Sequence, residues 1–252
     1  MQAMPTPEDL VAWCDALLEP ARFDDYCPNG LQVEGRRPLK RLVSGVTASL
    51  ALIERAAELE ADAILVHHGW FWRGENPCLT GMKGRRVRAL IDAGIALVAY
   101  HLPLDAHPEV GNNAQLGALL EFADAAPIDE RGLLWSGTVG TPLAAGAVAL
   151  RIRERLGREP LVVTGGDRPI RRIAWCTGAA QGYIERAVSA GVDAYLTGEV
   201  SEQTVHVARE CGIHFFAAGH HATERGGVRA LGARAAAALG IEHEFVDLDN
   251  PA

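Results

Sequence analysis

The segment Arg41–Gly69, moved along the chain by 131 positions, falls on Arg172–Val200 without a gap. Nine of the 29 paired positions are identical, including Ile53-Glu54-Arg55-Ala56 on Ile184-Glu185-Arg186-Ala187 and Asp62-Ala63 on Asp193-Ala194. Shared patterning alone can make two strand–helix–strand units look alike, but a gapless match through two such runs points to duplication. The chain is therefore expected to form two similar α/β lobes, residues 1–125 and 126–252. The boundary falls near 125–135, where DAAPIDERG supplies proline, glycine and charge.

Strands and helices alternate along each half. Residues 6–18 have an amphipathic helical pattern with Thr6 or Pro7 at the start. Pro28-Asn29-Gly30 is a turn signal. Strands are expected over 42–46, 63–66 and 95–100, and helices over 50–59, 84–93 and 112–122. The strands are apolar throughout rather than alternating, as in a sheet covered on both faces. In the second half, 213–218 should be the strand that corresponds to 95–100. The first half continues with His101-Leu-Pro-Leu-Asp105, the second with His220-His-Ala-Thr-Glu224. On this reading His101 stands opposite His220, and both strand ends carry metal-type ligands. In open α/β sheets, sites gather at the carboxyl ends of strands.

Composition removes several classes. The chain has 252 residues, of which 48% are hydrophobic and 22% charged, as in ordinary globular proteins. No apolar run is long enough to span a bilayer, and the N-terminal stretch lacks the basic start of a signal peptide, so a cytoplasmic location is expected. With 24 Lys+Arg against 32 Asp+Glu, the net charge is −8. Nucleic-acid binding would then need a local basic patch; the candidates are Arg36, Arg37, Lys40 and Arg41, and Arg168, Arg171 and Arg172. The five cysteines are widely spaced and form no CxxC, which argues against a disulfide framework or a thiolate zinc site. P-loop, dinucleotide and GxSxG motifs are absent from the sequence.

Histidines carry the chemistry. Seven of the nine lie at or near strand ends or their approaches: His67, His68, His101, His107, His214, His220 and His221. His67 and His68 close the apolar run AILV. Neighbouring strand residues point to opposite faces, so both can reach one site only if the backbone leaves strand geometry at Gly69. If 220–224 begins a helix, His220 and Glu224 lie one turn apart on one face. Each segment alone has an ordinary structural explanation, in packing, capping or a solvated helix start. Together, several imidazoles and two or more carboxylates exceed what one tetrahedral ion needs, so a two-metal site is expected. Zinc, iron, manganese, cobalt and nickel all suit such ligands.

Five motifs, PNGLQVEG (28–35), ILVHHGWFW (64–72), YHLPLDAHPEVGNN (100–113), DAYLTGE (193–199) and GHHATERGG (219–227), resemble the NIF3-like family in family order. That family is also called the dinuclear metal centre or GTP cyclohydrolase 1 type 2 family. The resemblance covers nearly the whole chain and is to the short bacterial form. It implies a NIF3-like fold, metal ligands at His67, His68, Asp105, His220 and Glu224, and a toroidal homohexamer. It implies a supporting or substrate-facing role for His101 and leaves His221 facing solvent or substrate.

The expected function is that of a dinuclear metal-dependent hydrolase acting on a nucleotide or related heterocycle. Asp105 and Glu224 would be bridging or bidentate, His67, His68 and His220 terminal ligands, and His101 or His221 a proton shuttle. The site would be built between the lobes. Glu199, aligned with His68 in the repeat, would face the same cleft or serve as a buried structural acid. Trp70, Phe71 and Trp72 would line a ring substrate or, preferably, pack between subunits. Two other classes stay open: a non-enzymatic metal storage, delivery or regulatory protein, and a nucleic-acid-associated ring.

Overall fold

In the computed structural model, which describes residues 4–36 and 38–252, the chain is divided into two compact units. One takes the chain up to Leu104 together with Gly227–Asp249; the other takes Asp105–Gly226 with Asn250–Ala252. Arg37, one of the basic candidates, lies outside the described residues.

The first unit contains α1 (Pro7–Leu18), β1 (Gly30–Val33), β2 (Arg41–Thr47), α2 (Leu50–Glu58), β3 (Ala63–His68), α3 (Gly81–Ala93) and β4 (Ala96–Ala99). A short helix, α4 (Leu102–Ala106), follows at the end of this part of the chain. The second unit contains α5 (Asn112–Leu119), β5 (Ala123–Pro127), β6 (Trp135–Leu143), α6 (Ala145–Leu156), β7 (Leu161–Val163), β8 (Ile170–Trp175), α7 (Ile184–Ser189), β9 (Ala194–Thr197), α8 (Glu202–Glu210) and β10 (His214–Ala217). Helix α9 (His220–Leu239) then leads to β11 (Glu242–Phe245).

Strands β2, β3 and β4 run parallel, with β1 antiparallel on β4 and β11 parallel on β2. Strands β8, β9 and β10 repeat this arrangement, with β7 antiparallel on β10. The duplication therefore extends beyond the 29 matched residues to an edge strand that sequence identity does not reveal. Its hydrogen bonds repeat at the same spacing of 131 residues. Asp62 Oδ2 accepts from Lys40 N at 2.8 Å and Arg41 N at 2.9 Å. Asp193 Oδ2 accepts from Arg171 N at 2.9 Å and Arg172 N at 3.0 Å. These carboxylates tie the start of one parallel strand to the start of the next, which explains why Asp survives in both copies.

The apolar runs follow from burial on both faces. β3 is buried from Ala63 to His67 and packs in a cluster with Leu52, Ile53, Val87, Leu90 and Leu97. In the second unit, Ile173, Trp175, Leu196 and Phe216 pack against Val148, Ile152 and Leu156 of α6. Helix α1 starts as its sequence predicts: Thr6 and Asp9 form a reciprocal capping box ahead of Pro7.

Two sequence expectations change. The division at 125/126 does not describe the compact units. Residues 123–127 form the edge strand β5 of the second sheet, antiparallel to β6, an edge position where Pro127 is tolerated. Residues 242–245, assigned with 126–252 from the sequence, pair with β2 of the first unit, where Glu242 also bonds Arg41 Nε at 2.8 Å. The second change concerns register. Val66 pairs with Ala99 and Thr197 with Ala217, so Tyr100 corresponds to Ala218 and His101 to Gly219, not to His220. The backbone at Gly219 has φ +98°, a left-handed conformation suited to glycine, and His220 comes one residue later. No helix among the described residues is long and apolar enough to cross a membrane.

Candidate metal centre

In the first unit, three imidazoles cluster where β3 and β4 end. His67, His68 and His101 each offer a ring nitrogen within 4.8 Å of the others. Their ring centroids are 4.6 Å (His67–His68), 5.0 Å (His67–His101) and 5.8 Å (His68–His101) apart. The strand continues through both histidines and ends at His68, so the backbone leaves strand geometry at Gly69, as expected. Pairing with β4 stops at Val66, and His67 Nδ1 lies 3.0 Å from the Tyr100 carbonyl just beyond that last pair. His68 Nδ1 sits 3.2 Å from Thr47 Oγ1 on β2. His101 Nδ1 sits 2.7 Å from Asp25 Oδ1.

The stretch from Asp25 into β1 braces these loops. Gln32 Oε1 accepts from Trp70 N at 2.7 Å, and its Nε2 donates to the Trp70 carbonyl at 3.1 Å. A side chain at Gly69 would collide with Gln32 and Ala99, so glycine is required by close approach there. Asn29 Oδ1 accepts from His101 N at 2.8 Å; this asparagine does more than turn the chain. Asp25 is the residue sequence reasoning missed. Burial pushes its carboxyl up, but bonds from His101, Asn29 and Tyr26 outweigh that and hold it down at about 2. No periodicity marks it, and its only cue is a carboxylate four residues before Asn29 in a turn-rich stretch.

The aromatic run WFW divides. Trp70 is buried and donates to the Ala48 carbonyl at 3.0 Å. Phe71 is exposed, with Lys83 over its ring. Trp72 lies edge-on to His101 at 5.0 Å and beside His68 at 6.0 Å. Trp70 therefore belongs to the unit's own core, and the run is not one exposed patch awaiting a neighbouring subunit.

In the second unit, α9 begins at His220, so His220 and Glu224 share a helix face, with Nε2 and Oε2 3.2 Å apart. His220 Nδ1 lies 2.7 Å from Glu199 Oε1. Burial pulls the His220 imidazole down, but Glu224 and Glu199 together raise it to about 9. Glu199 is half-exposed and steadies His220 from outside, so it is not a buried structural acid. Asp105 and Glu224 are both buried, and carboxylate oxygens of the two lie within 4.8 Å. Asp105 Oδ1 accepts from Asn112 Nδ2 at 2.8 Å and Thr177 Oγ1 at 3.3 Å. The Cys176 thiol is pushed well up, first by burial and then by Asp105, Asp129 and Glu224. This is a region of concentrated negative charge. Gly178 lies against it: a Cβ there would run into Glu224 Oε1 and stand 3.2 Å from His220 Nε2.

The donor chemistry fits divalent cations. His67, His101 and His220 each set Nδ1 against a carbonyl or carboxylate, groups that can only accept. A neutral ring must then carry its proton on Nδ1 and its lone pair on Nε2, which is how metal-ligating histidines are held. Asp105 and Glu224 bring two buried carboxylates within 4.8 Å of each other with the His220 imidazole beside Glu224, a donor set that suits a divalent cation. Cys27, near Asp25 and His101, is pushed up to about 12 by burial, so it does not offer a thiolate.

Other candidates have different roles. His107 Nδ1 accepts from Glu109 N and Val110 N, both at 3.1 Å, and shapes a turn. His214 opens β10, with Nε2 2.8 Å from the Arg168 carbonyl, at the end opposite His220. His221 is rotated by about 100° along α9 from His220, off the face shared with Glu224. Arg41 and Arg168 are paired with Glu242 and Asp193. All five cysteines are free.

The family model for Duf34/NIF3 (NGG1p interacting factor 3) matches residues 5–251, and the chain belongs to this family. A relative from Allochromatium vinosum is 60% identical over 245 residues, covering 97% of this chain and 96% of its own. Another, from Pseudomonas aeruginosa, is 59% identical over 246 residues, covering 96% and 97%. Both are named GTP cyclohydrolase 1 type 2 homolog. A solved structure described as protein ybgI, of unknown function, has a TM-score of 0.94 at 48% identity, covering 98% of this chain and 100% of that one. A Thermus thermophilus structure scores 0.90 at 36% identity, covering 98% and 100%.

Proposed function

We propose that His67, His68, Asp105, His220 and Glu224 together hold a pair of divalent metal ions, and that the chain is a metal-dependent hydrolase of nucleotides or related heterocycles. The observation that carries this reading is the state of the imidazoles: His67 is tied at Nδ1 to the Tyr100 carbonyl, and His220 to Glu199. Any buried imidazole needs a hydrogen-bond partner, but these rings also stand among further imidazole and carboxylate donors, so the tie at Nδ1 leaves Nε2 for a ligand's role. The duplicated strand ends support the division of labour between the two halves of the sequence. The relatives named GTP cyclohydrolase 1 type 2 homolog support the substrate class.

Two divalent ions held this way would supply Lewis-acid polarisation and a nucleophile at neutral pH. The chain's own contribution is positioning. Asn112 and Thr177 orient Asp105, Glu199 orients His220, and Thr47 orients His68. His101 lies beside His67 and His68, with Trp72 against its flank, and would move a proton at Nε2.

Metal analysis and melting together test the assignment. Reconstituted wild type is expected to hold about two zinc ions per chain and to melt higher with metal than without, because an ion that binds only the folded chain stabilises it. That rise should be much smaller in Asp105→Ala and in Glu224→Ala alike. If His220→Ala and Glu224→Ala keep the full rise while His67→Ala abolishes it, the ligand set is wrong. A wild type that binds metal but hydrolyses none of a panel of nucleotides and heterocycles removes the hydrolase reading.

A further inference from the structure

Asp25 sits at a crossing of four donors. Oδ1 accepts from Tyr26 N at 2.6 Å and faces His101 Nδ1 at 2.7 Å. Oδ2 accepts from Asn29 Nδ2 at 3.0 Å and from Leu102 N at 2.9 Å. Its side chain is only 4% exposed. The same stretch of chain also grips the His101 backbone through Asn29. Ring and main chain of His101 are thus held by one segment that precedes β1 and contains none of the proposed ligands.

We propose that Asp25 is a positioning residue for His101: it fixes the proton on Nδ1 and turns the Nε2 lone pair toward the imidazoles of His67 and His68. The proposal rests on the hydrolase reading only for the task His101 performs; the alignment of the ring stands independently. A carboxylate and a ring nitrogen at 2.7 Å form a charge-assisted hydrogen bond, which costs the ring its choice of tautomer. Three of the four donors are independent of His101, so the carboxylate stays in place whatever the ring does.

A rival use of the same atoms is a separate metal site. Asp25, Cys27 and His101 each offer an atom within 4.8 Å of the others. The hydrogen bonds oppose it. Each carboxylate oxygen already serves two donors, one of them a backbone N–H, and an ion would have to displace at least one of these donors. The Cys27 sulfur would also have to lose a proton that burial holds firmly.

Long-range proton–nitrogen NMR of the metal-free protein near about pH 9, where an ordinary imidazole is neutral, tests the proposal. His101 signals are assigned through their loss in His101→Gln. Wild type is expected to show one tautomer, with Nδ1 protonated and Nε2 bare. This needs no Asp25 variant to fold, only His101→Gln for the assignment, and a wild-type ring protonated on Nε2 overturns the proposal outright. In Asp25→Ala the tautomer ratio should move toward Nε2–H by about tenfold or more, the scale of one lost charge-assisted bond. Zinc content of Asp25→Ala after reconstitution should equal that of wild type. An unchanged ratio in a folded Asp25→Ala, or loss of half or more of its zinc, also overturns the proposal; the second result would assign Asp25 to metal binding. Failure of wild type to hydrolyse any substrate would remove the proposed function and leave the tautomer result standing.

Discussion

Replacing Gly178 by alanine probes the second unit's acid–imidazole cluster with a single carbon. Gly178 has φ +69°, where an L-residue costs about 1–2 kcal/mol. The backbone cannot rotate away cheaply. Gly178 N donates to Thr223 Oγ1 at 3.1 Å, and its carbonyl accepts from Thr197 Oγ1 at 3.0 Å and Gly198 N at 2.9 Å. The new Cβ would collide with Glu224 Oε1, so the buried carboxylate must shift and weaken its contact with His220, adding about 1–2 kcal/mol. The sum is about 2–4 kcal/mol. At about 2–4 °C per kcal/mol for a chain of this size, the metal-free variant should melt roughly 5–15 °C lower. Calorimetric titration with zinc should show weakened binding, because Glu224 no longer stands where its partners are. Gly182→Ala is the control: its Cβ meets nothing within 4 Å, and stability should hardly change. If Gly178→Ala melts within about a degree of wild type and binds zinc equally well, both the collision and the role of Glu224 are refuted.

Two further outcomes follow from hydrogen bonds away from the proposed ligands. Asp62→Ala and Asp193→Ala each remove a carboxylate that accepts two backbone N–H groups, and each should cost about 2–3 kcal/mol in urea unfolding; Asp193, the more exposed, should cost less, and a neutral effect at both would show that the repeated contact carries no stability. Asp25 is held at about 2, below the ordinary carboxylate value of 3.8, so its stabilising contribution is complete above pH 3.8 and is lost as pH falls toward 2. Asp25→Asn should lose stability of order 2 kcal/mol at neutral pH and show a flatter acid limb across that window; a variant with the wild-type limb would contradict the assignment.

How much of the site the sequence reveals depends on the range of the forces involved. The pairing of His220 with Glu224 is legible because a helix imposes it: four residues always return to the same face. The reach of both His67 and His68 into one cluster is legible only in part, because period-two alternation assigns them to opposite sides, and the end of β3 at His68 and of its β4 pairing at Val66 is fixed by the fold. Asp25 is illegible for a simpler reason. Its partner His101 lies 76 residues away, and no local pattern encodes a contact of that span.

The amino-acid sequence by itself determines the α/β class, the duplicated core of three parallel strands and the family, since these depend on apolar periodicity, on Asp62 and Asp193 at strand starts, and on short contiguous motifs. The tertiary structure alone decides where the chain is divided, because β11 is a half-exposed edge strand whose residues Glu242–Phe245 carry no mark of pairing with β2 rather than with a neighbour in sequence. It alone decides register, placing His101 on Gly219 through strand pairing that a one-residue insertion hides. It also decides which nitrogen each imidazole presents. That choice is made by a carbonyl at Tyr100 and carboxylates at Asp25 and Glu199, groups brought to their rings only when strands distant in sequence are hydrogen-bonded side by side.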